Sequence, residues 1–311
     1  MAAPPPEAAP PPEPMPEATP PEAPKPKPPP YSLPWQLRPV IPGNVVRSDT
    51  VIGYYQSKST RGGSAVASML LFSYKVIPEF APLVRLGLVA NSPPTDKSTR
   101  WNFLNPVVGA TYGPKIHPNL KLGLFLGLAL PFGSGGGTDP HPAAGPANAA
   151  GIATRSAMDN AMFAVNYLTV FPGVGFAYVG SGFTAQVEVT LLELLKTRGP
   201  DAADKSNTNF TTGLHLGYFL IPQLSIGGEL RHQRWLSTPA AVKADKTGTL
   251  RDTSTVAIGP RAHFKLGESM WLRPGIALAL PLDNPLAYGP SRQAAATSHF
   301  KMVQIDVPFV F

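Results

Sequence analysis

Cysteine is absent from all 311 residues. That excludes disulfides, thiolate zinc sites and a cysteine nucleophile, and leaves the compartment open. Charge is also scarce, at 14% Asp, Glu, Lys and Arg, against about 25% in an average soluble domain. The formal net charge is +7, yet no Lys/Arg run and no basic–aromatic cluster occurs, so no nucleic-acid partner is predicted. The six histidines (His117, His141, His215, His232, His263 and His299) show no metal-ligand spacing, so no metal or other cofactor is expected. The "GSGGG" at 133–137 lacks the following Lys-Ser/Thr of a phosphate loop, and no G-x-S-x-G elbow is present. An uncharged run from Asn160 to Val187 is long enough to span a bilayer as a helix. It contains Pro172, Gly173, Gly175, Gly180 and Gly182 and alternates like a strand, which argues against that reading.

What is abundant is proline, unevenly placed. Residues 1–30 hold 15 of the 39 prolines, with four Glu and two Lys. This span reads as an extended, disordered Pro-rich leader. Its charge is −2, which leaves the remainder at +9 (24 basic minus 15 acidic). Residues 31–49, "YSLPWQLRPVIPGNVVRSD", read as an irregular lead-in segment, and 50–311 as the folded body.

The body is built of stretches of roughly ten residues with period-two alternation. In "LKLGLFLGLAL", Leu122, Leu124, Leu126, Leu128 and Leu130 oppose Gly123, Phe125, Gly127 and Ala129. "FTAQVEVTL", "LSIGGELRHQ" and "STVAIGPRAHFKL" follow the same rule. Short links such as "KIHPNL", "YVGSG" and "LIPQL" alternate with long polar ones such as 133–158. Strands are predicted near 50–57, 65–76, 80–91, 101–114, 120–131, 167–179, 183–195, 208–220, 223–236, 252–265, 270–281 and 300–311. An even strand number with short turns on one side and long loops on the other predicts an all-β fold: an antiparallel up-and-down transmembrane β-barrel of about twelve strands. A soluble sandwich or lipocalin-like barrel is the rival. The faces opposite the apolar ones mix Gly, Ala, Thr and a few charges, which suits a narrow lumen better than open water. Tyr54, Tyr55, Tyr74, Trp101, Tyr112, Tyr178, Tyr218, Trp235 and Trp271 fall near strand ends, where a bilayer interface would lie.

The chain ends "VQIDVPFVF", with Val303, Ile305, Val307, Phe309 and Phe311 on one face. Here it resembles the porin-like outer-membrane β-barrel proteins of Gram-negative bacteria, many of which end in a strand with a terminal Phe. The resemblance implies an outer-membrane location and a mature chain whose signal peptide is gone, since "MAAPPPEAAP" has neither a basic nor an apolar signal region. It implies the lipid bilayer and the barrel-insertion machinery as partners, with Val307, Phe309 and Phe311 read as the assembly signal.

If the apolar faces meet lipid, Arg85, Glu188, His215, Glu229, Arg231, Arg261, His263, Arg273, Gln304 and Asp306 line the interior. Either these groups neutralise one another in a filled barrel, or the arginines bias a small water-filled pore toward anions. On this pattern Asp306→Asn is expected to be mild, because the side chain faces the lumen and stays polar. Residues 133–166 combine a flexible Gly/Pro-rich stretch with the helix-forming "ATRSAMDNAMFAVN", in which Met158, Ala161, Met162 and Val165 share a stripe; this loop is expected to fold inward. Outer-membrane phospholipases use a Ser–His pair on a barrel exterior. His232 and Ser237 are the nearby candidates, but an odd separation puts them on opposite faces, so no enzyme is expected. Two functions remain. One is a narrow passive channel for small polar or anionic solutes. The other is a non-conducting anchoring barrel whose leader, on the periplasmic side, meets the cell wall or a partner protein.

Overall fold

The computed structural model describes Met1 and residues 31–56, 62–94, 99–201, 203–237, 239–244, 251–282 and 299–311. The span read as a Pro-rich leader lies, apart from Met1, outside the described residues. Among the described residues twelve antiparallel strands close into one barrel. They are β1 Val45–Gln56, β2 Gly63–Ser73, β3 Phe80–Ser92, β4 Arg100–Phe103 with Val107–Tyr112, β5 Leu120–Ala129 and β6 Tyr167–Gly180. The second half comprises β7 Phe183–Lys196, β8 Ser206–Ile221, β9 Leu224–Trp235, β10 Asp252–Ala262 with Phe264–Lys265, β11 Trp271–Leu272 with Gly275–Pro281, and β12 His299–Val310. Each strand pairs with its sequence neighbours, and β12 returns to β1 in continuous register from Val45–Val310 to Gln56–His299. That seam removes both sheet edges, as a lipid environment requires of a sheet. β1 begins at Val45, within the span read as lead-in.

The alternation in sequence becomes a two-faced wall. Leu124, Leu126, Ile258, Ile276 and Leu278 stand exposed on the outside, while Phe125, Ala257, Ala277 and Ala279 are buried within. An exterior studded with exposed aliphatics around a closed barrel is stable only against lipid. Tyr54 and Trp101 are exposed near the long-loop rim, and Tyr74, Tyr112, Tyr178 and Tyr218 near the short-turn rim. Tyr55 instead turns inward, where its hydroxyl donates to Asn91 Oδ1 at 2.8 Å and its ring stacks on Phe300.

Three strands are broken: β10 at His263, and β4 and β11 at breaks that contain a proline, which cannot donate to a ladder. In β4 the break falls at Leu104, Asn105 and Pro106. Asn105 uses it to bind the long loop: its amide donates to the carbonyls of Ala164 and Tyr167, and its Oδ1 accepts from the Gly133 N–H. In β11 the break falls at Arg273 and Pro274 and turns Arg273 into the barrel mouth.

Candidate functional site

The interior is filled from both ends. From the short-turn side, residues 31–44 run inside the wall before β1 begins. The wall binds this insert mainly through its backbone. Glu229 on β9 accepts from the N–H of Trp35 at 2.7 Å and of Gln36 at 3.0 Å, and Glu188 on β7 accepts from the Arg38 N–H at 2.5 Å. The Gln304 amide donates to the Trp35 carbonyl at 2.9 Å, and Arg47 donates to the carbonyls of Pro34 and Trp35. The Tyr31 hydroxyl donates to Gln186, and the Arg38 guanidinium pairs with Glu188 at 2.6 Å. Trp35 and Leu37 are fully enclosed.

Inward glycines make this insert possible. A Cβ at Gly213 would lie 2.6 Å from Leu37 Cδ1, one at Gly275 would lie 2.8 Å from the Trp35 ring, and one at Gly175 would lie 2.6 Å from Val40 Cγ1. The small inner-face residues that suggest a narrow bore are therefore a groove fitted to residues 31–40.

From the long-loop side, the connection between β5 and β6 folds inward. It carries α1 (Ala144–Thr154) and α2 (Asn160–Phe163). α1 begins inside the stretch read as flexible; of its five alanines, Ala144, Ala147, Ala150 and Ala153 are buried and Ala149 is half-buried. Small side chains on every face let a helix fit within a barrel where a larger amphipathic one could not. Ala161, Met162 and Phe163 pack against Leu104, Phe125, Phe171 and Leu192 of the wall. Between the helices, Ser156 and Ala157 sit at φ +57 and +54, a region costly for non-glycine residues. Charge pairing holds that turn. Arg155, with no exposed surface, donates to Asp49 on β1 at 2.8 Å and to Asp159 at 2.7 Å, while Arg85 on β3 reaches Asp159 at 2.5 Å. Burial works against the Asp159 charge, but Arg85 and Arg155 outweigh it and hold the carboxyl below the usual carboxylate range.

Of the ten residues read as interior, Glu188, His215, Glu229, Arg231, Arg261, His263, Gln304 and Asp306 are buried, and Arg85 and Arg273 are half-buried. Arg231 pairs with Glu229 at 2.5 Å and reaches Gln304 at 3.0 Å. Arg261 and Arg47 converge on Asp306, at 2.5 and 2.7 Å. His215 lies 3.9 Å from Glu229, and His263 accepts from or donates to Ser225 at 2.8 Å. Arg273 has no carboxylate partner among the described residues; Nη1 reaches only the Tyr31 carbonyl, at 3.5 Å. Period-two reading misses Arg38, Arg47, Asp49, Arg155 and Asp159, because they sit in the lead-in segment, on the first turns of β1 or in the long loop. The mid-loop "TRSAMD", with opposite charges four apart in an otherwise uncharged stretch, was the available signal for two of them.

Space remains beside the insert. Around the insert, at the short-turn mouth, lies a cavity of about 1080 Å³ lined by both insert and wall. Its walls are mostly apolar, with Leu33, Val179 and Phe219 among them; Arg47, His263 and Arg273 supply polar groups, and Arg38, Lys75 and Lys121 also line it.

On the exterior, His232 does not meet Ser237. Its Nδ1 lies 3.0 Å from Ser254 Oγ and its Nε2 lies 3.7 Å from Asp252, while the Ser237 hydroxyl lies by Asn207 and Thr208. Among the described residues no group of three or more His, Asp or Glu is placed to hold a metal ion.

A closed even-stranded barrel with an apolar exterior, aromatic rims, short turns at one end and long loops at the other defines a transmembrane β-barrel of the outer-membrane class. No protein-family model matches the chain, and no curated protein matches it. Among solved structures the chain has distant similarities. The KdgM porin in complex with disordered oligogalacturonate is 11% identical with a TM-score of 0.45, covering 86% of this chain and 99% of that one. The NanC porin is 9% identical with a TM-score of 0.47, covering 85% and 98%. The Pseudomonas putida toluene transporter TodX is 9% identical with a TM-score of 0.38, covering 86% and 88%.

Proposed function

We propose that the protein is an outer-membrane channel for small polar or anionic solutes, held shut in this structure by its two inserts. The observation that carries this reading is how the inserts are held. The 31–44 insert is fixed to the wall largely by hydrogen bonds and an ion pair along a glycine-relieved groove, and the loop insert adds ion pairs at Arg155 and Asp159 to its apolar packing; the polar contacts exchange with water when an insert leaves. The arginines that remain on the wall would then face the bore and favour anions.

A second reading has its own support: a lumen filled from both ends suits a non-conducting anchor. In that reading the Pro-rich 1–30 segment meets the cell wall or a periplasmic partner. Planar-bilayer recording separates the two. The parent should be nearly silent. A variant lacking residues 1–40, with 140–160 replaced by a short Gly-Ser linker, should show discrete anion-preferring openings, once a heat-modifiable gel band shows it folded. A folded variant with no current above leak would leave the anchor.

We further propose that Val307, Phe309 and Phe311 serve assembly through the insertion machinery. Phe311 is tied to the start of the barrel: its N–H donates to the Asn44 carbonyl at 3.1 Å, and its ring stacks on Phe309 at 5.9 Å. Deleting Phe311 removes apolar burial worth up to about 1.5–3 kcal/mol and is expected to lower the folded, heat-modifiable band in outer membranes several-fold. Equal bands for deletion and parent would refute the assignment.

A further inference from the structure

Among the described residues the charges inside the barrel do not balance, and the surplus is local. Each of five carboxylates has an arginine: Glu188 has Arg38, Glu229 has Arg231, Asp49 has Arg155, Asp159 has Arg85 and Asp306 has Arg261. Two arginines are left over. Arg47 must share Asp306 with Arg261, and Arg273 has no acid at all among the described residues. Both line the short-turn cavity, and Arg261 lies directly behind them, its Nη1 on the Arg273 carbonyl at 2.8 Å. Uncompensated charge in a low-dielectric enclosure is costly, and an anion relieves that cost.

The hydrogen-bond inventory points to the same corner. Arg273 Nε, Arg261 Nε and His263 Nδ1 are buried atoms without a hydrogen-bond partner among the described residues. Buried guanidinium donors are seldom left idle, and a carboxylate or phosphate engages two at once. The β11 break turns Arg273 toward the mouth, with Trp271 flanking its guanidinium at 5.6 Å. Beyond this polar corner the cavity is walled by Leu33, Val179, Leu83 and Phe219. A concave, largely apolar space with a few convergent donors is the general form of a small-molecule site.

We infer that the short-turn mouth is a binding site for an amphiphilic anion. The head, a carboxylate or phosphate, sits between Arg273, Arg47 and His263, and the apolar body lies along the Leu33–Phe219 wall. The site does not depend on conduction, since the cavity exists with both inserts in place.

The test uses the full chain in nanodiscs of zwitterionic lipid, with empty discs subtracted and calorimetric titration as the readout. Octanoate and 1-octanol are the probes, equal in chain length and different in charge. Octanoate is expected to bind at least about tenfold more tightly than octanol. Arg273→Gln should abolish that preference and leave octanol unchanged, and Arg273→Lys should restore part of it. Equal binding of acid and alcohol by the parent, or an Arg273→Gln protein that keeps the preference, overturns the site. If Arg273→Gln does not fold, the parent's acid–alcohol comparison decides alone. A barrel that binds octanoate yet never conducts with both inserts removed keeps this site and loses only the channel.

Discussion

Asp306→Asn is expected to cost the barrel about 3–5 kcal/mol, the range for removing one member of a buried ion pair. Asp306 has no exposed surface and accepts from both Arg47 and Arg261. The asparagine keeps the shape but not the charge, so three arginines at the mouth would face one another without a local acid. The sequence pattern alone makes this substitution mild, because it shows a lumen-facing polar residue replaced by another. It cannot show that β1 brings Arg47 and β10 brings Arg261 onto the same carboxylate. Urea-titrated loss of heat-modifiable mobility measures the effect. A midpoint shift worth less than about 1 kcal/mol would mean that water, not Asp306, balances these arginines.

Arg155→Met should release the loop insert while the strands hold. The substitution keeps length and apolar stem but leaves Asp49 with Gln304 as its remaining close hydrogen-bond donor, at 2.9 Å, and leaves Asp159 to Arg85 alone. The Ser156–Ala157 turn, held in its unfavourable backbone region, loses its anchor at the same step. If the loss is about 3 kcal/mol, amide exchange in residues 144–163 should accelerate about a hundredfold. Exchange in β7 and β8 should stay as in the parent. Unchanged exchange in the loop would show that α1 and α2 are held by apolar packing alone.

The strands were legible because a lipid-facing wall exaggerates the pattern that defines a strand. Every second residue must be apolar, and Leu122–Leu130 shows nothing else on that face. The reading 183–195 meets a strand at Phe183–Lys196, and 252–265 meets one that ends at Lys265. The contents of the barrel were less legible. Residues 31–44 carry no period, since an extended insert follows the wall rather than a repeat. The inner-face glycines read as the wall of a narrow lumen, whereas a glycine beside Leu37 or Trp35 marks space taken by residues 31–40. Arg155 and Asp159 were hidden by their loop position, where charge usually means solvent. The interior residues themselves were readable one by one; their pairing depends on shear and on which chain segment enters, and neither is written in a local alternation.

The way the wall holds residues 34–38 has a consequence for how the protein can vary. Glu229, Glu188, Gln304 and Arg47 address peptide N–H and C=O groups, which nearly every residue type presents alike. The inserted strip is thus free to drift at positions such as Gln36, while its receptor on the wall is not. Mutational tolerance should be lopsided: permissive along much of the guest, strict in the four host side chains and in the glycines that give it room. A protein built this way can exchange the sequence of its stopper without rebuilding the vessel.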